Sequence, residues 1–170
     1  ANIDWSQFAG EKVVMGMVEH PSTDALKPWL SQFEELTKMK VELMEMPHEE
    51  LWEKRLADVS TGAGTYDGFM MDMTLTPQYG KAGWLEDLRT YLDDPKICDT
   101  DWYDFGDIFP KLIDAGRYKG QIIALPFNAP VQTFEYRMDY FEKADLDPMN
   151  PPKTMEELRS AAEQLNSPPD

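Results

Sequence analysis

Three short apolar runs, each followed by an amphipathic stretch, constrain this chain more than any other feature. The first is Val13-Val14-Met15-Gly16-Met17-Val18, nearly continuous, as in strands covered on both faces of a parallel sheet. It stops at Glu19-His20-Pro21, where Ser22, Thr23 and Asp24 offer helix-capping side chains. Leu26, Trp29, Leu30, Phe33 and Leu36 then recur at helical spacing, and Pro28 must fall in the first turn or mark a kink. The second run, KVELMEM over residues 40–46, alternates as a strand does. Pro47 and His48 open a second helix with Trp52, Leu56 and Val59 on one face, and Gly62 is placed to end it. The third strand is Tyr66 to Met71, followed over 75–92 by short helical pieces broken at Gly83. The order β-α-β-α-β-α predicts an α/β fold with a parallel sheet and right-handed crossovers.

Farther on, Ile108, Phe109, Leu112 and Ile113 predict a helix with Pro110 near its start. Tyr118-Lys119-Gly120-Gln121 reads as a tight hairpin turn before Ile122-Ile123-Ala124-Leu125. Pro126 and Pro130 bracket Phe127-Asn128-Ala129, and this stiff connection is the best candidate domain boundary. An extended segment from Gln132 to Arg137 and a short helix from Asp139 follow. Thr154 with Glu157 three residues on then forms a capping box that starts the last helix.

In open α/β sheets ligands sit beyond the carboxyl ends of the strands. Here the three strands end on Glu19-His20, on His48, and on Asp72-Met73-Thr74, so one edge gathers all of these groups. The plainer alternative is that each is an ordinary loop residue capping a helix. No spacing fixes a metal geometry for His20 and His48 together. Trp29, Trp52 and Trp84 sit in apolar patterns and are expected in the core. Phe127 and Tyr136 could pack in a core or stack on a ligand ring.

Charge narrows the partners. Sixteen basic residues against 32 acidic ones leave a formal net charge of −16, which repels nucleic-acid backbones and anionic membrane surfaces. No apolar run approaches the roughly 18 to 20 residues that span a bilayer. The single cysteine, Cys98, cannot form an intrachain disulfide. There is no GxSxG, P-loop, HExxH or CxxC motif, and the glycines of GTYDG precede a strand instead of following one. The acidic loop of Asp93, Asp94, Asp99, Asp101, Asp104 and Asp107 lacks the EF-hand spacing and its turn glycine. It reads as a solvated loop, with a cation site as the alternative, and Asp104 is placed to cap the helix that follows.

Four stretches in order carry a resemblance to a known family: "HPSTDALKPWLSQFEELT", "FMMDMTLTPQYGKAGWLEDL", "YKGQIIALPFNAPVQTFEYRMDYFEKADLDP" and "PPKTMEELRSAAEQL". Together they resemble family 1 extracellular solute-binding proteins, the carbohydrate-binding receptors of bacterial ABC importers, over about residues 12 to 165. The resemblance implies a two-lobed periplasmic-binding-protein (type II) architecture. Residues 1–126 would be the N-terminal lobe, 127–131 a hinge, and 132–170 the beginning of the C-terminal lobe. Members are usually more than twice this length, so a complementary chain or a missing C-terminal half would supply the rest. Two departures stand at turns where the family commonly has glycine, Lys38 and Asp145, and each would need a left-handed backbone if the turn is kept.

The function implied is capture of a neutral sugar or polyol and its delivery to the permease subunits of an ABC transporter. No cofactor or metal is implied. The ligand-binding residues would be Glu19, His20, His48, Asp72, Met73, Thr74, Phe127 and Asn128, with Asp72 accepting hydrogen bonds from vicinal hydroxyls. The expected location is the periplasm, or outside the cell as a membrane-tethered lipoprotein, and a chain starting at Ala1 fits a mature product of signal cleavage. The competing expectations are a glycoside hydrolase pairing Asp72 with Glu19 and a non-catalytic interaction module.

Overall fold

The computed structural model describes residues 3–129 and 133–166. Pro130, the end of the 127–131 connection, Gln132 and the chain start at Ala1 lie outside the described residues. The chain divides into two compact units, Ala1–Ala129 and Pro130–Asp170.

The first unit is built on a three-stranded parallel sheet of order β2-β1-β3. β1 (Lys12–Val18) pairs along its whole length with β2 (Lys40–Met46), Val13 opposite Val41 and Val18 opposite Met46. β3 is only Gly68–Phe69, shorter than the six-residue strand expected, and pairs with Met15 and Gly16. Two flanking bonds prolong it: Asp67 N–H donates to Val14 O at 2.9 Å and Met70 N–H to Gly16 O at 2.8 Å. The Asp67 carboxylate also accepts from Val14 N–H at 2.8 Å, so a side chain replaces the ladder where the strand fails. β1 is not covered throughout, as its apolar run suggested; only Gly16 and Met17 are fully buried.

The crossovers are α1 (Pro21–Thr37) and α2 (His48–Thr61). Both are amphipathic with the expected period, but the packed stripe is not the one its aromatics pointed to. α1 buries Thr23 and Thr37, while Trp29 is 60% exposed and Phe33 and Leu36 also face solvent. α2 buries Leu51, Arg55 and Asp58 at i, i+4, i+7, leaving Trp52 exposed. The reason is steric: Leu51 must seat against β1 at Gly16, where an added Cβ would stand 3.0 Å from Leu51 Cδ1 and 3.1 Å from the Tyr66 ring. Pro28 lies inside α1, beyond its first turn, so the Asp24 carbonyl receives no bond from residue 28. Lys38 ends α1 at φ 60°, keeping the left-handed turn without glycine, and donates to Glu34 O at 2.9 Å. Gly62 ends α2 as expected, at φ 67°.

Beyond β3 a 3-10 turn, Met73–Leu75, leads into α3 (Thr76–Ala82), which stops at Gly83. Tyr79 is buried there, edge-on to Phe69 and to the half-buried Trp84. Short helices α4 (Arg89–Leu92), α5 (Thr100–Tyr103) and α6 (Pro110–Ala115) follow. In the acidic loop it is Asp99 that caps α5, accepting from Trp102 N–H at 3.1 Å; Asp104 sits at φ 53° and caps nothing with its side chain. The hairpin pairs β4 (Arg117–Tyr118) with β5 (Gln121–Ile122), and Lys119 and Gly120 both take positive φ, as a primed turn requires. α3 packs on this hairpin so closely that a Cβ on Gly80 would fall 2.4 Å from Tyr118 Cγ.

In the second unit α7 (Met138–Lys143) and α8 (Met155–Leu165) bury Phe141, Ala144 and Ala161. Tyr136 lies against Phe141, ring centroids 4.5 Å apart, and its hydroxyl donates to Pro148 O at 2.7 Å. Tyr136 is therefore a packing residue of its own unit. The capping box is present: Glu157 N–H donates to Thr154 Oγ1, and the Glu157 carboxylate accepts from Thr154 N–H. Asp145 takes φ 53°, keeping the second turn.

Candidate functional site

Because the three strands run parallel, their carboxyl ends lie on one edge, and the chain delivers two polar groupings there. The first is at the start of α1. His20 is the N-cap: its Nδ1 accepts from Ser22 N–H at 3.1 Å and lies 2.8 Å from Ser22 Oγ. Ser22 Oγ in turn accepts from Asn128 Nδ2 at 3.1 Å, so residues far apart in sequence meet at one hydroxyl. Below them the buried Thr23 donates Oγ1 to Val18 O at 2.7 Å and fastens α1 to the end of β1. Glu19 is exposed, and its N–H donates to Met46 O at 3.0 Å, prolonging the β1–β2 ladder by one residue. The His20 imidazole is thus the helix cap that the plainer reading allowed, and it is bonded to Ser22 as well.

The second grouping centres on Asp72. Its backbone carbonyl accepts from Leu75 N–H at 3.0 Å, closing the 3-10 turn, so the carboxylate is held at the strand end and is 44% exposed. His48, the first residue of α2, places Nε2 2.9 Å from Asp72 Oδ2. A carboxylate can only accept, so Nε2 carries the proton of this bond. Arg55, two turns along α2, is 1% exposed and lies behind the carboxylate, with Nη2 3.8 Å from the same Oδ2. Its Nη1 donates to Met70 O, and its guanidinium carbon stands 5.5 Å from the centre of the Trp52 ring. The His48 ring meets Trp52 edge-on at 5.9 Å. No hydrogen bond among the described residues uses Asp72 Oδ1.

Of the remaining expected site residues, Thr74 is exposed beside Asp72 and Met73 is half-buried in the same turn. Phe127 is exposed next to Asn128. The edge therefore brings together His48, Asp72, Met73 and Thr74 in one grouping, and His20 with Asn128 in the other. Arg55 escaped sequence reading, because an arginine in a helix ordinarily faces solvent. The signal was its place four residues after Leu51 and three before Asp58, on one stripe. Among the described residues no group of three metal-binding side chains is present, and no helix is long and apolar enough to cross a membrane.

The arrangement suits hydroxyl groups: a carboxylate with one oxygen that no described residue bonds, a ring N–H donor on the other oxygen, and an aromatic side chain beside that ring. The chain is similar to known proteins in sequence and in fold. A family model described as bacterial extracellular solute-binding protein matches residues 19–170. The erythritol/L-threitol-binding protein of Mycolicibacterium smegmatis is 28% identical over 149 residues, covering 82% of this chain and 31% of that protein. The mannitol-binding protein of Pseudomonas aeruginosa is 31% identical over 118 residues, 69% of this chain and 25% of that protein. Among solved structures, an ABC transporter solute-binding protein from Agrobacterium radiobacter K84 in complex with ribitol superposes with a TM-score of 0.69 at 26% identity. It covers 89% of this chain and 37% of that one. The chain thus spans about a third of the length of these relatives, and it has the α/β fold of type II binding proteins.

Proposed function

The chain belongs to the bacterial extracellular solute-binding protein family, and we propose that it forms part of a receptor for an acyclic polyol or a neutral sugar, handed on to the permease of an ABC importer outside the cytoplasm. In this reading residues 1–126 belong to the first lobe, 127–131 to a hinge and 132–170 to the start of the second lobe. It binds and releases its ligand without catalysing a reaction.

One observation carries the reading: at the edge where the parallel strands end, Asp72 has a carboxylate oxygen that no hydrogen bond among the described residues uses, while its other oxygen meets the His48 ring, which lies against Trp52. A polyol offers a row of neutral hydroxyls that donate to such an acceptor and accept from such a donor. Erythritol, mannitol and ribitol, named for the relatives, share this chemistry. The net charge of −16 on these 170 residues opposes the approach of anionic ligands. Glu19 and Thr74 of the first lobe, with Phe127 and Asn128 of the hinge, complete this wall.

The test is titration calorimetry of the full-length protein against D-mannitol, ribitol, erythritol and maltose, with gluconate as the anionic control. Saturable binding of a neutral member, and none of gluconate, is expected. Steady release of product from chromogenic glycosides would overturn the receptor reading in favour of the Asp72–Glu19 hydrolase. Absence of binding to every neutral compound would leave an interaction module.

A further inference from the structure

Among the described residues the buried side-chain polar atoms without a hydrogen-bond partner are Arg55 Nε, Arg55 Nη2, Thr76 Oγ1 and Tyr79 OH. Half of that short list belongs to one guanidinium, and a buried cation with unsatisfied N–H groups is the costliest kind to keep. Packing alone does not account for it. The neighbouring buried position on the same stripe is Leu51, and an aliphatic residue at 55 would fill space there without the cost of desolvating a charge.

Asp72 accounts for it. His48, Trp52 and Arg55 fall at i, i+4 and i+7 of α2 and so project from one side of it. The first and last of them converge on a single oxygen: His48 Nε2 at 2.9 Å and Arg55 Nη2 at 3.8 Å from Asp72 Oδ2. Trp52 fills the space between, touching both. Arg55 is also bonded to Met70 O, one residue beyond β3 and two before Asp72, so the guanidinium is anchored to the backbone that leads to Asp72. Two positively polarised groups on Oδ2 resist rotation of the carboxylate, and no hydrogen bond among the described residues uses Oδ1.

We infer that Arg55 is a positioning residue for hydroxyl recognition, a buried group that acts on a polyol only through the orientation of the Asp72 carboxylate. At 1% exposure it does not touch the ligand. The inference rests on the receptor reading given above and adds to it the group that orients the Asp72 acceptor.

The test is a double-mutant cycle on D-mannitol affinity in the full-length protein, with thermal melting measured on each variant. Asp72→Asn keeps the shape and a carbonyl acceptor but loses the charge, and polyols are soluble enough for its weakened complex to be titrated by ligand-detected NMR. Arg55→Met is expected to weaken binding about tenfold when Asp72 is present, and within about twofold in the Asp72→Asn background. Equal losses in both backgrounds would make Arg55 a purely structural residue and overturn the inference, while the receptor reading stood on the parent's binding. If Arg55→Met does not fold, Arg55→Lys decides by the same cycle. A single ammonium cannot serve both Met70 O and Asp72, so a smaller loss confined to the Asp72 background is expected, and equal losses again overturn the inference. A parent protein that binds no neutral polyol would remove the receptor reading and the inference with it.

Discussion

His48 Nε2 stands 2.9 Å from Asp72 Oδ2, joining the first residue of α2 to the residue that precedes the 3-10 turn after β3. Both side chains are nearly half exposed, at 42% and 44%, so the bond lies in the open edge of the sheet and not in the core.

Replacing Asp72 by alanine should therefore separate binding from folding. Binding of a neutral polyol is expected to fall by a factor of about ten to a hundred in the full-length protein, the worth of one or two charge-assisted hydrogen bonds. Stability should fall by only about 1 kcal/mol, because the lost partners are a half-exposed histidine and an arginine that keeps its bond to Met70. Calorimetry and thermal melting check the two halves. A collapse of the melting temperature with binding intact would make Asp72 a structural cap.

Asn128→Ala should have a smaller effect. Asn128 donates to Ser22 Oγ, which also contacts the His20 cap, so its removal loosens the α1 edge without removing a charge. A two- to fivefold loss of affinity, roughly half to one kcal/mol, is expected. Unchanged affinity would assign Asn128 to the local backbone alone. Ser22→Ala, which deletes the shared hydroxyl, should reproduce the Asn128→Ala loss.

The large features of this arrangement were legible because they follow from short-range chemistry. The runs at 13–18 and 40–46 are strands, Gly62 and Gly83 end helices, and Thr154 with Glu157 forms the capping box. The parallel order alone puts His48 and Asp72 on one edge. The choice of helix stripe was not legible. The apolar row on α2, Trp52, Leu56 and Val59, is not the one that is buried; the buried row is Leu51 with the charged Arg55 and Asp58. Only the shape of the partner strand, open at Gly16, selects Leu51, and that selection carries Arg55 inward. The left-handed turns at Lys38 and Asp145 show the converse case, in which the local preference for glycine yields to the tertiary turn.

Gly80 provides a test of the packing between α3 and the hairpin. A methyl group added there would meet Tyr118 at 2.4 Å, and Tyr118 is held by its pairing with Gln121. Gly80→Ala gains helix propensity but forces the Tyr118 ring aside, and overpacking of this kind costs about 1–3 kcal/mol. A lowered melting temperature is expected, with partial rescue by Tyr118→Ala in the same chain. A more stable Gly80→Ala variant would show that the ring moves freely.

Acid should weaken the junction between α1 and β2 through Glu34. Its Oε1 accepts from Val41 N–H at 2.9 Å and its Oε2 pairs with Lys40 Nζ at 3.0 Å. The bond from the Val41 amide, followed by the one from Lys40, holds the carboxyl below its ordinary value of 4.5. A carboxyl depressed by folding contributes stability that is fully present above the ordinary value and is lost as pH falls through the lower, folded value. Glu34→Gln keeps an acceptor for Val41 but has no charge for Lys40. The parent should therefore melt above the variant at pH 7, hold that lead down to about pH 5, and lose it steadily below 4.5. Melting curves of both proteins between pH 7 and pH 3 check this, and a gap that stayed constant across the range would mean that the Glu34 charge plays no part in joining the helix to the strand.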